Sequence, residues 1–279
     1  MEYCAYLVNS TPKYYYMLPL HFALVKRYAS WLQMPLYLAT EEPDHPVCQQ
    51  VKAMGVNLIP LKPSEAGFLD SRATALRALA LTGRFKFVLP MQEDFLLERE
   101  ADPQAIADAI EFLTHSDVAS VRLMPCPGPG GPDVNHAWAE ITDKDTYGFS
   151  FQATMWRLDS CLLFYKGVCA KLEAEWPLAS TSPDQRRQIE IRANFAENAA
   201  GQRFFWEFFA RRNEKHVGWK RLGPWPNAVY LSPWPYRPTA IVQGRLEPWA
   251  EDMARREGMP LSPNTQKEVG SLQDLGRGY

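Results

Sequence analysis

The chain lacks a long hydrophobic run. No stretch of its 279 residues approaches the ~18 consecutive apolar residues that a membrane-spanning helix needs. The N-terminus also lacks the basic start and apolar run of a secretory signal peptide. These absences predict a protein with no transmembrane segment and a cytoplasmic location.

The chain also lacks a large excess of charge of one sign and a regular spacing of its cysteines. A formal net charge of −2 removes the basic footprint of a dedicated nucleic-acid binder, so we predict no nucleic-acid partner. The five cysteines are scattered and include no C-x-x-C pair, which argues against a disulfide framework and indicates a reducing compartment. The five histidines show no metal-ligand spacing, and no G-x-S-x-G elbow of a serine hydrolase occurs.

The first half of the chain instead shows a regular alternation of short apolar runs and helical patterns. Such alternation implies right-handed crossovers and a Rossmann-like α/β fold, in which helices flank a mainly parallel sheet. The predicted strands are 6–8, 36–39, 56–59, 86–90 and 118–123. The predicted helices are 17–32, 45–54, 69–81 with Gly83 as its C-cap, and one that begins at Pro103 after the N-cap Asp102.

The second half is less regular. Residues 149–156 predict a strand, and a helix is expected from about residue 159. Residues 203–212, RFFWEFFARR, favour a buried helix with snorkelling arginines, with peripheral membrane contact as the alternative. Prolines between 224 and 238 exclude a regular helix there. We therefore expect a domain over 1–200 and an irregular, aromatic- and proline-rich C-terminal extension, 201–279, packed on it.

Residues 86–97, KFVLPMQEDFLL, carry the strongest chemical signal. A predicted strand is followed at once by Gln92, Glu93 and Asp94 and then by a second apolar run. Adjacent acids between hydrophobic runs are costly to bury unless they are paired or bind a cation. Ligands of open α/β sheets bind at the carboxyl ends of the strands, where an acid pair suits a divalent metal against a diphosphate. The alternative is that the two acids cap a helix or mark a turn.

This order of elements, ending in strand–QEDF, resembles the nucleotide-diphospho-sugar transferase superfamily, the GT-A fold of glycosyltransferases, over roughly residues 1–200. In that fold an Asp-x-Asp or Glu-Asp motif follows the fourth strand. FQATMWRLD, with an acid about thirty residues on in PDQRRQIE, is also similar to bacterial and viral members. The resemblance implies sugar transfer from a nucleotide-diphosphate donor, UDP- or GDP-linked. Gln92 stands where the strict motif has its first acid.

Roles in such a transfer follow from the chemistry. Asp94 is the first choice to coordinate Mn²⁺ or Mg²⁺, with Glu93 ligating the cation or positioning a water, because both cations prefer carboxylate and phosphate oxygens. An inverting transfer also needs a base for the acceptor hydroxyl. Glu190, between apolar neighbours, is the candidate, and Asp184 is the second choice. Glu190 would otherwise be an exposed acid of an alternating strand, and a retaining enzyme needs no such base.

Nucleotide-sugar contacts are expected at the same edge of the sheet. Polar residues follow the first two predicted strands, and a helix whose N-terminus favours anions precedes the acid motif. Taken singly, each of these residues suits a cap or turn as well as a ligand contact, so their convergence on one edge is the argument. The predicted contacts are Asn9, Ser10, Thr11, Glu41, Asp70, Arg72, Gln92, Glu93 and, from the C-terminal side, Arg245.

The partners are therefore a nucleotide-sugar donor and a carbohydrate or lipid-linked acceptor. The aromatic side chains of the extension, Trp225, Trp234, Tyr236 and Trp249, would either stack on sugar rings or bury the extension on the core. A nucleotide- or carbohydrate-binding protein without catalysis is a second hypothesis, because the first acid of the motif is missing. A nucleotidyltransferase is a third, although only Lys13 follows the first strand in place of a Gly-rich, basic loop.

Overall fold

The computed structural model describes residues 3–62, 68–115, 117–125, 128–175, 177, 180, 182, 199–220, 231–237, 239–242, 245–259 and 261. Asp184, Glu190 and Trp225 lie outside these residues, as do the segments 185–198 and 262–279. The described cysteines, Cys4, Cys48, Cys161 and Cys169, form no disulfide with one another.

A central sheet of eight strands organises the described part of the chain. The strands are Cys4–Ser10 (β1), Leu36–Thr40 (β2), Asn57–Pro60 (β3), Phe87–Met91 (β4), Val118–Arg122 (β5), Trp138–Ile141 (β6), Thr154–Arg157 (β7) and Lys215–Trp219 (β8). Their spatial order is β3-β2-β1-β4-β7-β5-β8-β6. The first four strands in this order are mutually parallel, β7 runs antiparallel to both β4 and β5, and β6 runs antiparallel to β8.

Helices cover both faces of this sheet. Alternate residues of β1 point to opposite sides, so Tyr6 and Val8 pack in one apolar core while Ala5 and Leu7 pack in the other. The helices are Leu18–Tyr28 (α1), Pro46–Ala53 (α2), Phe68–Leu81 (α3), Pro103–Thr114 (α4), Leu158–Glu175 (α5), Ala199–Arg212 (α6) and Pro248–Arg256 (α7). The first core includes α1, α2, α4 and α7, and the second includes α3, α5 and α6.

This architecture confirms the predicted α/β class, a mainly parallel mixed sheet between helices. Several bounds differ from the predictions. The expected helix 17–32 is a 3₁₀ turn at Pro12–Met17, α1, and a second 3₁₀ turn at Ser30–Leu32. Gly83 adopts the left-handed conformation expected of a C-cap, with φ of 65°.

The predicted strand 149–156 is wrong over its first five residues, because only Thr154–Arg157 pairs as β7. A side chain of α6 takes the place of a neighbouring strand for Phe149. Gln202 Oε1 accepts the Phe149 N–H at 3.0 Å, and Gln202 Nε2 donates to the Phe149 carbonyl at 2.7 Å. These bonds satisfy the backbone of Phe149 outside the ladder.

Pro90 does not end β4, although the sequence suggested that it would. The strand continues to Met91, and Pro90 pairs in register with Leu7 of β1. On the other side, the β4–β7 ladder has already ended at Val88, which pairs with Trp156. A proline is tolerated at this point because no β7 residue pairs with it across the ladder.

The aromatic helix α6 belongs to the core. Phe205 and Phe209 are fully buried, and Phe204, Trp206 and Phe208 pack partly buried against the same cluster. This is the buried helix that the sequence favoured. No helix in the described ranges is long and apolar enough to cross a membrane. The expected division at residue 200 falls just after α6 begins, and β8 beyond it lies inside the sheet.

Candidate functional site

The carboxyl ends of three neighbouring parallel strands form one edge of the sheet. Ser10 at the end of β1 pairs with Thr40 at the end of β2, and Val8 pairs with Met91 at the end of β4. The residues that follow β4 therefore emerge beside the last residues of β1. Asn9 and Ser10, predicted to lie in a turn, are the last residues of β1 itself.

Glu93 and Asp94 follow β4 in a turn and do not cap a helix. Phe95 N–H donates to the Gln92 carbonyl at 3.2 Å, and the next helix begins only at Pro103. The acids are nevertheless buried, with Glu93 9% exposed and Asp94 8% exposed. They do mark a turn, as one alternative held, but they are neither solvated charges nor a helix cap, so their burial needs a further explanation.

The surroundings of Glu93 disfavour a bare negative charge. Burial, and next the neighbouring carboxylate of Asp94, raise the pKa of Glu93 to about 8. The charge of Arg72 and a hydrogen bond from Ser10 oppose this rise without cancelling it. Added positive charge at this edge would therefore stabilise the ionised form of Glu93.

Asp94 is held by the C-terminal part of the chain. Its Oδ2 accepts hydrogen bonds from the Thr239 hydroxyl and from the Ile241 N–H, the latter at 3.3 Å. Its backbone carbonyl accepts the Ala240 N–H at 3.0 Å. Burial raises the pKa of the Asp94 carboxyl, and the Thr239 and Ile241 hydrogen bonds act in the opposite direction.

Arg72 supplies positive charge to the same edge. It lies in α3 and is only 2% exposed, with its guanidinium 4.7 Å from the Phe68 ring centroid and 5.4 Å from that of Phe151. Its Nε and Nη2 are buried and have no hydrogen-bond partner in the described part of the chain. Buried guanidinium nitrogens without partners are costly, and an anionic ligand would satisfy them.

The end of β1 adds uncharged groups that also have unused hydrogen-bonding capacity. Both the Nδ2 and the Oδ1 of Asn9 are buried without a partner among the described residues, and so is the Thr11 hydroxyl. An amide and a hydroxyl at this position can donate to phosphate or ribose oxygens and accept from a base or a hydroxyl. The structure thus brings Asn9, Ser10, Arg72, Glu93 and Asp94 to one edge.

The remaining predicted contacts lie further out. Glu41 is partly buried in a bend after β2, and Gln92 is partly buried directly after β4. Asp70 is in the first turn of α3. Arg245 is exposed on β10 (Arg245–Leu246), which pairs with β9 (Ile241–Val242), the strand whose first residue contacts Asp94.

Three side chains at this edge were not predicted. The buried His21 of α1 bonds through Nδ1 to the Glu93 carbonyl at 3.1 Å and through Nε2 to the Tyr6 hydroxyl at 2.7 Å. Tyr16 lies near both acids, and burial first, then neighbouring charges including Glu93 and Asp94, raises its pKa to about 12. The third is Thr239. The contacts of His21 with Glu93 and of Thr239 with Asp94 join residues 72 and 145 positions apart, so no local sequence pattern revealed them.

Comparisons with known proteins found similar solved structures but no similar sequence family. No family model matches the sequence, and no curated protein is significantly similar to it. The chain is similar to the 1–349 structure of S. aureus TarS, with 15% identity and a TM-score of 0.45 over 79% of this chain and 58% of that chain. The corresponding UDP-GlcNAc complex of TarS gives 14% identity and a TM-score of 0.43 over 79% of this chain and 59% of that one.

A glycosyltransferase involved in glycosylation of the major capsid of PBCV-1 is also similar, with 16% identity and a TM-score of 0.35 over 67% of this chain and 73% of that one. The chain thus spans less than two thirds of the TarS structures that it matches. Because these identities and TM-scores are low, we base the function on the residues of the site.

Proposed function

We propose that this chain is a glycosyltransferase that binds a nucleotide-diphosphate sugar at the edge formed by β1, β2 and β4. One observation carries the proposal: two buried acids, Glu93 and Asp94, lie at this edge with the buried Arg72, two of whose nitrogens lack partners among the described residues. A nucleotide diphosphate would supply anionic oxygens as hydrogen-bond acceptors for Arg72. A divalent cation bound to that diphosphate would supply positive charge to the two acids.

The chain's own residues would stabilise the departing nucleotide diphosphate. Negative charge builds on that group as the sugar–phosphate bond breaks, and charged donors already in place lower the barrier. Arg72 is fixed by its aromatic neighbours, so little side-chain freedom is lost when it binds. Asn9, Ser10 and Thr11 would hold the nucleoside or its phosphates beside it.

The acid pair suits a divalent cation that the substrate helps to coordinate. No group of three or more His, Cys, Asp or Glu side chains in the described ranges forms a complete metal site. Magnesium-type cations are often bound by only one or two carboxylates together with substrate phosphates. Asp94 and Glu93 would hold Mn²⁺ or Mg²⁺ in this way, and the cation would neutralise charge on the diphosphate. Gln92, Glu41, Asp70 and Arg245 would complete the donor pocket.

The acceptor side is also a proposal. For an inverting transfer, Glu190 would deprotonate the acceptor hydroxyl, with Asp184 as the second choice. The acceptor would be a carbohydrate or a lipid-linked sugar.

Calorimetry with UDP- and GDP-sugars, with and without Mn²⁺, tests the donor site. UDP-GlcNAc, the ligand of one TarS structure, belongs in the panel. We expect Mn²⁺-dependent binding of at least one donor, followed by slow release of its nucleoside diphosphate. Asp94→Asn, which keeps an oxygen for Thr239, should abolish both while the circular dichroism spectrum is unchanged. Asp143→Ala, at an exposed turn, is the control.

A binding protein without catalysis is the second candidate. Gln92 at the first acid position favours it. Tight donor binding with no turnover over a broad acceptor panel would select this candidate. Absence of donor binding would contradict both.

A further inference from the structure

Residues 232–237 and 239–242, here called the C-terminal strap, run antiparallel to the segment that follows the acid motif. The Asp102 N–H donates to the Pro233 carbonyl and the Glu98 N–H to the Pro235 carbonyl, both at 3.0 Å. Leu97 and Tyr236 form an antiparallel bridge, which lies along the chain between these two hydrogen bonds and Asp94. The prolines have no N–H, so they join the strap to this segment through their carbonyls alone.

Side chains fasten the strap along its length. Arg237 Nε pairs with Glu98 Oε1 at 2.6 Å. The Tyr236 ring stacks on Phe95 with 4.9 Å between centroids. Trp234 is fully buried, with its ring centroid 5.9 Å from that of Tyr6 in β1. The strap is therefore a fixed part of the core, and its far end is held at a defined position beside Asp94.

We propose that Thr239 is a positioning residue that orients the Asp94 carboxylate toward the cation of the nucleotide-sugar site. This inference rests on the proposed function. The Thr239 hydroxyl and the Ile241 N–H both bond to Oδ2 of the Asp94 carboxylate, and the Ala240 N–H bonds to the Asp94 backbone carbonyl. Two donors on one oxygen restrict rotation of the carboxylate, so Oδ1 would be the oxygen available to a cation.

Local geometry shows why a hydroxyl is needed at position 239. Thr239 Oγ1 also accepts the Ile241 N–H at 3.2 Å and lies 2.9 Å from the Ile241 carbonyl. The hydroxyl thus lies within a turn formed by residues 239–241, and this turn restricts the direction of its single proton. A hydrogen bond to a carboxylate is stronger than one to a neutral carbonyl, so that proton goes to Asp94. Removing a hydrogen-bond partner of this kind from a metal ligand lowers metal affinity or activity about 10–100-fold.

Titration with Mn²⁺ in the presence of UDP tests this role without turnover. Electron paramagnetic resonance measures the binding as loss of the signal of free Mn²⁺. Thr239→Val removes the hydroxyl at nearly constant volume, and we expect Mn²⁺ affinity to fall about 10–100-fold. Thr239→Ser keeps the hydroxyl and should restore wild-type affinity. Thr114→Val, which removes an exposed helix-end hydroxyl bonded to the Glu111 carbonyl, is the matched control.

The outcomes separate this inference from the proposed function. Wild-type affinity for Mn²⁺ in Thr239→Val, with loss of binding in Asp94→Asn, overturns the positioning role and leaves the function standing. Equal weakening in the valine and serine variants also overturns it. Failure of the wild-type protein to bind either UDP or GDP contradicts the proposed function before any variant is made. If the valine variant does not fold, Thr239→Ala provides the same comparison with a smaller side chain.

Discussion

At the scale of single residues, the protein buries charged and titratable groups that a globular core normally excludes. Arg72, Glu93 and Asp94 lie at the ligand edge, and two histidines, His21, which bonds to the Glu93 carbonyl, and His216, are fully buried. Burial lowers the pKa of His21 to about 4 and that of His216, with the Arg122 charge as a further cause, to about 3. The first group has a role in ligand binding under our proposal, and the second affects stability.

Replacing Arg72 by Met removes the guanidinium and keeps an apolar stem between Phe68 and Phe151. We expect affinity for UDP or GDP to fall about 10–100-fold, because hydrogen bonds to charged groups are each worth ~1.5–3 kcal/mol. Titration calorimetry measures the change. Arg77→Met, an exposed position of the same helix, should bind as the wild type does. Unchanged affinity in Arg72→Met would remove the main support for the donor site.

His216 should make the fold sensitive to acid. The unfolded chain protonates this side chain near the ordinary histidine pKa of 6.5, whereas burial lowers the pKa in the folded protein to about 3. Between these values the unfolded state binds the extra proton, so the stability contribution is fully present above pH 6.5 and declines as the pH falls toward 3. The expected slope is ~1.4 kcal/mol per pH unit for this one group.

Urea unfolding of His216→Asn and wild type across that pH range measures this contribution. The asparagine retains a polar partner for Ser120, whose hydroxyl lies 2.8 Å from His216 Nδ1. The difference in unfolding free energy between the two proteins should shrink toward acid pH. His136→Asn, at an exposed position, is the control. A constant difference would show that His216 titrates alike in both states.

At the scale of elements, features contained within a few neighbouring residues were predicted better than pairings between distant segments. Asp102 was expected to cap α4, and its Oδ1 accepts the Gln104 N–H at 2.9 Å and the Ala105 N–H at 3.1 Å. A cap and its helix are neighbours in sequence, so the pattern contains the whole interaction. Strand 149–156 failed because its backbone partner, Gln202, lies on a helix 53 residues away from Phe149.

The cap predicts a modest and specific change in stability. Asp102→Ala should lower the free energy of unfolding by ~1 kcal/mol, because two N–H groups at the start of α4 lose their acceptor. Asp102→Ser retains a capping oxygen and should recover most of the loss. Chemical unfolding of the three proteins provides the test. A serine variant as unstable as the alanine variant would show that capping is not the cause.

At the scale of the whole molecule, the C-terminal strap contacts both the acid motif and the segment before β7. The Tyr236 hydroxyl donates to Gln152 Oε1 at 2.6 Å and accepts the Ala153 N–H at 2.8 Å, just before β7. Trp234 and Tyr236 are fully buried, so these two aromatic side chains bury the extension instead of being available to stack on sugars.

Tyr236→Phe tests this connection. The substitution keeps the ring and leaves the buried Ala153 N–H without its acceptor, which should cost ~1–3 kcal/mol of unfolding free energy. A single cooperative urea transition at lower midpoint is expected, because the strap is part of the same core. Tyr147→Phe, at an exposed position, should leave the midpoint unchanged. A separate early transition in Tyr236→Phe would show instead that the strap unfolds as its own unit.

The sequence by itself determined the α/β class, most helices and the place of the acid motif at a strand end. Those features follow from hydrophobic period, capping and turn residues, which are encoded within a few neighbouring positions. Only the tertiary structure decided what surrounds the acids. Thr239 reaches Asp94 across 145 residues of sequence and His21 reaches Glu93 across 72. Such contacts result from packing of distant elements, and no local pattern specifies which of them meet.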